Sequence, residues 1–275
     1  GMQNIRFFAI VTGLIKLASM LLILLFVKGE NDLVLVATFF SLGFLISGSL
    51  SLIYAQKLYQ LVFLRPSFLD LKREFSDGFD VFLASIATTS YTTLVPIILS
   101  FHVSASDIGV FSTVQKLVNG IIGLLDPFSQ AIFPAIAGTL RNDFPKAIGL
   151  INLVRNLFIV FYTFLSLIVM FFINDISYLL VGGIDPSLIL LIKIMLLVPI
   201  FALISNLYGV QYMINIGLDR SLRNIILCAS SLALIAGFFV FQFFGIIGAG
   251  FLIVVTELVI AIATFSFYVI SRSAK

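Results

Sequence analysis

The sequence predicts an all-α polytopic membrane protein, and three observations carry that reading. Hydrophobic residues make up 61% of the 275 and charged residues 11%, with a mean hydropathy of +1.19. Soluble domains sit nearer half apolar and a quarter charged. Apolar runs long enough to span a bilayer, about 20 residues each, recur along the whole chain. The basic residues are also unevenly spaced around those runs.

Eight spans are expected: 5–27, 33–55, 79–101, 107–139, 150–173, 186–212, 221–243 and 246–270. A signal peptide would account for one such run only. With the N-terminus placed inside, the inner segments hold Arg6, Lys57, Arg65, Lys72, Arg73, Arg141, Lys146, Arg155, Arg220, Arg223, Arg272 and Lys275. These are twelve of the 16 basic residues. The outer loops hold only Lys28, and Lys16, Lys116 and Lys193 lie within spans. By the positive-inside rule both termini are expected in the cytoplasm.

In the first span Lys16 is central, with Thr12 and Ser19 on its side. After the second comes the longest inner connection, whose core reads RPSFLDLKREFSDGF. It mixes Phe68, Leu69, Leu71 and Phe75 with Arg65, Lys72, Arg73 and Glu74, the pattern of an amphipathic helix lying on a membrane surface. This connector, 57–78, is the expected boundary between a two-helix segment, 1–56, and a six-helix segment, 79–275. The third span carries Ser85, Thr88 and Thr92 on one face, where hydroxyls can satisfy helix carbonyls and let helices pack closely.

The fourth span is apolar yet striped. Ser112, Lys116, Asn119, Gly123, Asp126 and Gln130 follow at steps of four and three, so they share one helical face. Val110, Val114, Leu117, Val118, Ile121, Leu125, Phe128 and Ile132 oppose them. One wet face on a membrane helix implies the wall of a water-filled cavity, as a transport path requires. Pro127 and Pro134 each remove a helical hydrogen bond and predict a kink in the second half. In the sixth span Lys193 is near the outer end, and Asn206, Tyr208, Gln211 and Tyr212 cluster at the inner end as an interfacial anchor. Gly245, Gly248 and Gly250 open the eighth span, permitting a tight turn or close helix contact. Glu257 lies well inside it.

A charge at the centre of a membrane helix costs roughly 2.5–3.5 kcal/mol on the insertion scale. Lys16, Lys116, Lys193, Asp126 and Glu257 are therefore expected to face protein or water. Lys116, Lys16, Asn119, Ser112, Gln115 and Lys193 are the candidate substrate-binding residues. Glu257 and Asp126 are the candidates for ion coupling, since a buried carboxyl can titrate. Lys193 could instead snorkel, and Asp126 could serve the kink. His102 falls in an outer turn, where solvent exposure is expected. The lone Cys228 excludes an internal disulfide. No nucleophile–base set, phosphate-binding glycine loop or metal motif occurs, so the residues point away from an enzyme and require no cofactor.

Several segments carry a resemblance. IGVFSTVQKL, Ile108 to Leu117, followed by DPFSQAIFPAIAG, Asp126 to Gly138, resembles the "G-Y-S-x-A-x-K … P-x-S-x-A-x-x-P" region of polysaccharide-unit flippases of the Wzx type. GVQYMINIGLDRSLRN, Gly209 to Asn224, resembles an inner loop of their C-terminal half. FGIIGAGF, Phe244 to Phe251, resembles the start of their last helices, and GMQNIRFFAIVTGLIKL resembles the beginning of their fifth helix. The sequence departs from the pattern at Gln115, where many members have Glu, and at Phe111, where many have Tyr. The expected asparagine-like positions one helix earlier are Thr93 and Val95.

The resemblance places the chain in the multidrug/oligosaccharidyl-lipid/polysaccharide exporter superfamily. It implies two six-helix lobes around a central cavity working by alternating access. The chain would hold the last two helices of the first lobe, the connector and the second lobe, and lack the first four helices. The implied setting is the bacterial inner (cytoplasmic) membrane. The implied substrate is an oligosaccharide on undecaprenyl diphosphate, moved from inner to outer leaflet for O-antigen, lipopolysaccharide, capsule or exopolysaccharide synthesis. Protons or Na+ would drive the step, with no nucleic-acid partner. The alternatives are a cation-coupled multidrug antiporter of the same superfamily, which should be richer in acids, and a membrane polysaccharide polymerase, which should carry large outer loops.

Overall fold

A computed structural model describes residues 6–29, 32–59, 67–72, 74–75 and 93–273. Among the described residues the regular structure is all helical. Five stretches are long and apolar enough to cross a membrane: Val34–Leu58, Ala105–Leu140, Phe144–Phe171, Pro186–Ile216 and Asp219–Arg272. The helix over Val11–Phe26 is apolar but shorter. Of the expected third span only residues 93–99 are described as helix, and Ser85, Thr88 and Thr92 lie outside the described residues. The chain divides into two compact units, Gly1–Arg73 and Glu74–Lys275.

The first unit pairs α1 (Arg6–Phe26) with α2 (Leu33–Tyr59). Thr12 Oγ1 and Ser47 Oγ share a hydrogen bond of 3.1 Å, and the rings of Phe26 and Phe39 are 6.0 Å apart. Residue numbers that rise on one helix fall on the other, so the pair is antiparallel. Gly43 permits the contact: a Cβ there would meet Ser19 Oγ at 2.5 Å. In the connector, residues 68–72 form a short helix. Ser67 Oγ accepts from the Asp70 N–H at 3.2 Å, and the Asp70 carboxylate accepts from the Ser67 N–H and O–H at 3.1 and 2.6 Å, a capping box. These bonds hold the Asp70 carboxyl below its usual range. Phe68, Leu69 and Leu71 are exposed on this helix.

The second unit contains α3 (Ala105–Gly123), α4 (Asp126–Asn142), α5 (Phe144–Phe171), α6 (Ile173–Val181), α7 (Pro186–Met195), α8 (Val198–Ser205) and α9 (Asp219–Ser273). Between α8 and α9 the chain continues as a π-helix, Asn206–Met213, and a 3₁₀ turn, Ile214–Ile216. α6 was not expected; its nine residues, INDISYLLV, read as an outer loop around Asp175. α5 shows why this unit suits a bilayer. Leu153, Leu157, Val160, Phe164, Leu167 and Phe171 are all exposed and follow at steps of four and three, forming one apolar stripe. Ile151, Val154, Phe158 and Tyr162 are buried on the other side.

The kink expected in the fourth span is a full break at Leu124–Leu125. Pro127 has no N–H to donate to the Gly123 carbonyl, and its ring crowds that carbonyl. The chain turns there on tighter bonds, Leu124 N–H to Ile121 O at 3.3 Å and Leu125 N–H to Ile122 O at 2.9 Å. Pro134 sits inside α4 without ending it. Pro199 does for α7 and α8 what Pro127 does for α3 and α4, in the second position of the new helix after the Leu196–Leu197 turn.

α9 is two arms. At Gly245 the backbone takes φ 51°, ψ −134°, outside helical space. A Cβ on Gly237 would meet Leu252 Cδ2 at 3.2 Å; fifteen residues of straight helix would separate them by about 22 Å. The chain therefore reverses, and the arms pack antiparallel. A Cβ on Gly248 would meet the Val240 carbonyl oxygen at 3.1 Å, and one on Gly250 would collide with Leu191 of α7. The three glycines thus supply both the turn and the close contacts read from the sequence.

Candidate functional site

The register of α3 is fixed at its N-terminus. Ser104 Oγ accepts from the Asp107 N–H at 3.2 Å, and the Asp107 carboxylate accepts from the Ser104 N–H at 3.3 Å. From that start Phe111, Val114, Val118 and Ile121 turn into the core. Val114, Val118, Ile121 and Leu125 of the expected apolar face are buried, whereas Phe128 is 54% exposed. Gln115 and Asn119, one turn apart, face a cavity of about 290 Å³.

The cavity lies among α3, α7, α8 with its π segment, and both arms of α9. Its apolar lining includes Val118, Ile122, Val198, Ile253 and Ile260. Its polar lining is Gln115, Asn119, Ser205, Asn206 and Glu257. Glu257 is 7% exposed. It follows the Gly245 reversal by twelve residues of helix, or about 18 Å; a reversal at the membrane surface would put it near mid-depth of a hydrocarbon layer about 30 Å thick. Glu257 shares this lining with three carboxamides and a hydroxyl. Such a set can donate to and accept from a hydroxyl-rich ligand.

Of the residues singled out from the sequence, Gln115, Asn119, Asn206 and Glu257 come together. Ser112 and Lys116 do not line the cavity; Lys116 is exposed on the neighbouring face of α3, and Ser112, one turn earlier, is half-exposed. Asp126 is exposed in the first turn of α4, where a negative charge suits the helix dipole. Lys193 is exposed in the last turn of α7, the favourable end for a cation. Lys16 is exposed on α1 in the first unit.

Ser205 and Asn206 were not anticipated as lining. The Ser-Asn pair after the apolar run VPIFALI was a visible signal; Ser205 ends α8 and Asn206 begins the π-helix. The expected interfacial anchor is corrected: Tyr208, Gln211 and Tyr212 are each about 1% exposed or less, buried in protein. Ser129 Oγ donates to Asn206 Oδ1 at 2.9 Å, and Gln211 Nε2 donates to the Ser129 carbonyl at 2.9 Å and Oγ at 2.7 Å. α4 is thereby tied to the π-helix beside the cavity. Gln211 Oε1 is buried and accepts no hydrogen bond from a described residue. His102 is half-buried, its Nδ1 at 3.0 Å from the Ile98 carbonyl and its ring edge-on to Phe238. Among the described residues no three His, Cys, Asp or Glu side chains gather to hold a metal.

Helices of this length and greasiness define an integral membrane protein, and its second unit holds a largely apolar cavity with five polar residues in its wall. Residues 1–140, half of the chain, match the model of the polysaccharide biosynthesis protein family. The chain belongs to that family. It is 28% identical over 258 residues to a protein of Escherichia coli (strain K12) named "Putative O-antigen transporter", covering 94% of this chain and 62% of that protein. A protein of Shigella dysenteriae with the same name is 28% identical over 137 residues, 50% of this chain and 35% of that protein. The chain thus spans less than two thirds of either relative. No solved structure matches it.

Proposed function

We propose that this chain works in a membrane transporter of lipid-linked polysaccharide units. The observation that carries the reading is the cavity whose lining includes Glu257, Gln115, Asn119, Ser205 and Asn206. Family membership and the names of the two relatives support the same substrate class. In finer terms, the cargo is an oligosaccharide on undecaprenyl diphosphate, and it moves from inner to outer leaflet by alternating access. Residues 1–56 close one lobe, 57–78 lie on the cytoplasmic membrane surface, and 79–275 form a second lobe. Both termini of the chain are cytoplasmic.

Amides and hydroxyls of the cavity meet the glycan. Lys116, exposed on the stripe, and the half-exposed Ser112 meet the diphosphate, with Lys16 and Lys193 as further cations along the path. Lysines suit this because an anion crossing a low-dielectric region must be neutralised by charged donors. Glu257 couples the movement to a proton or Na+ gradient, with Asp126 as a second carboxylate near the break.

The test uses the full-length protein in proteoliposomes with a fluorescent lipid-linked oligosaccharide. Lys116→Ala should abolish translocation while insertion and abundance stay unchanged. Glu257→Gln should lose dependence on an imposed ion gradient and slow flipping by at least about tenfold, equivalent to ~1.4 kcal/mol of barrier. Gradient-driven flipping at normal rate by both variants would sink the reading.

A further inference from the structure

On the surface of the second unit, away from the polar cavity, is a groove of about 200 Å³ between α5, α8 with its π segment, and the last arm of α9. Its walls are hydrocarbon, from Phe201 and Ile204 on one side to Leu258, Ile262 and Phe265 on the other. One ion stands in it: Arg155. Arg155 Nη1 donates to Tyr208 Oη at 3.0 Å, and Nε and Nη2 donate to Asn156 Oδ1 at 3.1 and 3.0 Å. These bonds fix the guanidinium and engage three of its five N–H donors. Every partner is uncharged, and among the described residues Arg155 makes no ion pair. The Tyr208 ring that holds it is itself wedged against Phe265 and Tyr268, with centroids 5.0 and 4.7 Å away.

The depth of the groove follows from helix rise. Phe265 is twenty residues beyond the Gly245 reversal, about 30 Å, the thickness of the hydrocarbon layer. With the reversal at one membrane boundary, Arg155, bonded to Tyr208 beside Phe265, stands at the opposite one. From there the groove runs inward past Ile262 to Leu258, and past Ile204 to Phe201, seven residues or about 10 Å on each wall. A fixed cation at the water boundary and an apolar channel leading into the hydrocarbon match one kind of molecule, an amphiphile with an anionic head and an acyl tail. A zwitterionic head would bring its own cation to a site that offers no described anion to receive it.

We propose that this groove binds an anionic phospholipid of the surrounding bilayer, its phosphate on Arg155 and one acyl chain along Leu258–Phe265. The inference is independent of the transport reading and rests only on the membrane-spanning fold. The site grips the lipid between α5 and the last α9 arm, so occupancy steadies their packing.

The test is native mass spectrometry and thermal unfolding of the purified full chain in detergent, with dioleoyl phosphatidylglycerol or dioleoyl phosphatidylcholine added. Phosphatidylglycerol should be retained roughly tenfold more strongly than phosphatidylcholine, the scale of one charge-assisted contact, and should raise the unfolding midpoint. Arg155→Gln should erase that preference in molecules that still fly folded, and Arg155→Lys should keep most of it. Equal binding of the two lipids by the wild type would overturn the proposal, as would an undiminished preference in Arg155→Gln. Two further results would also overturn it. Inorganic phosphate alone could reproduce the stabilisation, or a polyprenyl phosphate could displace phosphatidylglycerol at equimolar ratio and reveal a carrier-lipid site.

Discussion

Gly245 turns the chain at φ 51° and ψ −134°, a region that side chains with a Cβ avoid. Gly245→Ala should therefore lower the thermal midpoint of the purified protein, at a cost of about 1–3 kcal/mol. Gly217, at φ 80° in a surface turn, should tolerate alanine with a smaller loss because αL is less forbidden than the Gly245 region. A thermal-unfolding comparison of the two variants checks this, and an unchanged midpoint for Gly245→Ala would remove the claim of strain. Glu257 shows what a single residue conveyed in advance. Its type and depth marked it as interior, because an exposed carboxylate in lipid is too costly. Ser205 and Asn206, which share its cavity, were not read as lining: Ser205 ends α8 and Asn206 opens the π-helix, and the packing of that junction decides where they face.

At the element scale, the capping box of the connector makes its helix pH-sensitive. The Asp70 carboxyl is held below its ordinary value by the hydroxyl and amide of Ser67. A depressed carboxyl favours the helix fully above its unfolded pKa, and the support is lost as pH falls through the lower folded value. Helix content at residues 68–72 should hold from neutral pH to the usual carboxylate range and decline below it. Asp70→Asn should flatten that decline, which site-resolved NMR of a labelled sample would show. The prolines illustrate a different limit. Pro127 and Pro134 looked equivalent in sequence, yet only the first coincides with a break. Removing one N–H permits a kink; whether the chain turns depends on what the freed carbonyl and the next helix pack against.

Across the whole molecule, exposure divides into two kinds. The α5 stripe from Leu153 to Phe171 is wholly apolar, whereas α3 exposes Lys116 and Asn119. Lipid should cover the first and water the second. In a Cys228→Ser background, which removes the one cysteine of this chain, Lys116→Cys should react with a membrane-impermeant maleimide. Leu157→Cys should not. Labelling at 157 but not at 116 would invert the assignment of faces.

What the sequence determined by itself was the helical membrane class, the two-faced α3 and the interior position of Glu257. These follow from local rules: a period of 3.6 residues, a bilayer of fixed thickness and the cost of a bare charge in hydrocarbon. What only the tertiary structure decided was which polar residues meet. It set Gln115, Asn119 and Glu257 around one cavity and left Lys116 on the adjacent face. It buried Tyr208 and Tyr212, and it paired Arg155 with Tyr208 across 53 residues. The stripe on α3 is wide enough to serve two faces, and a one-residue step turns a side chain by about 100°. Periodicity therefore names the helix and its wet side, while packing against α7, α8 and α9 selects the residues that enter the cavity.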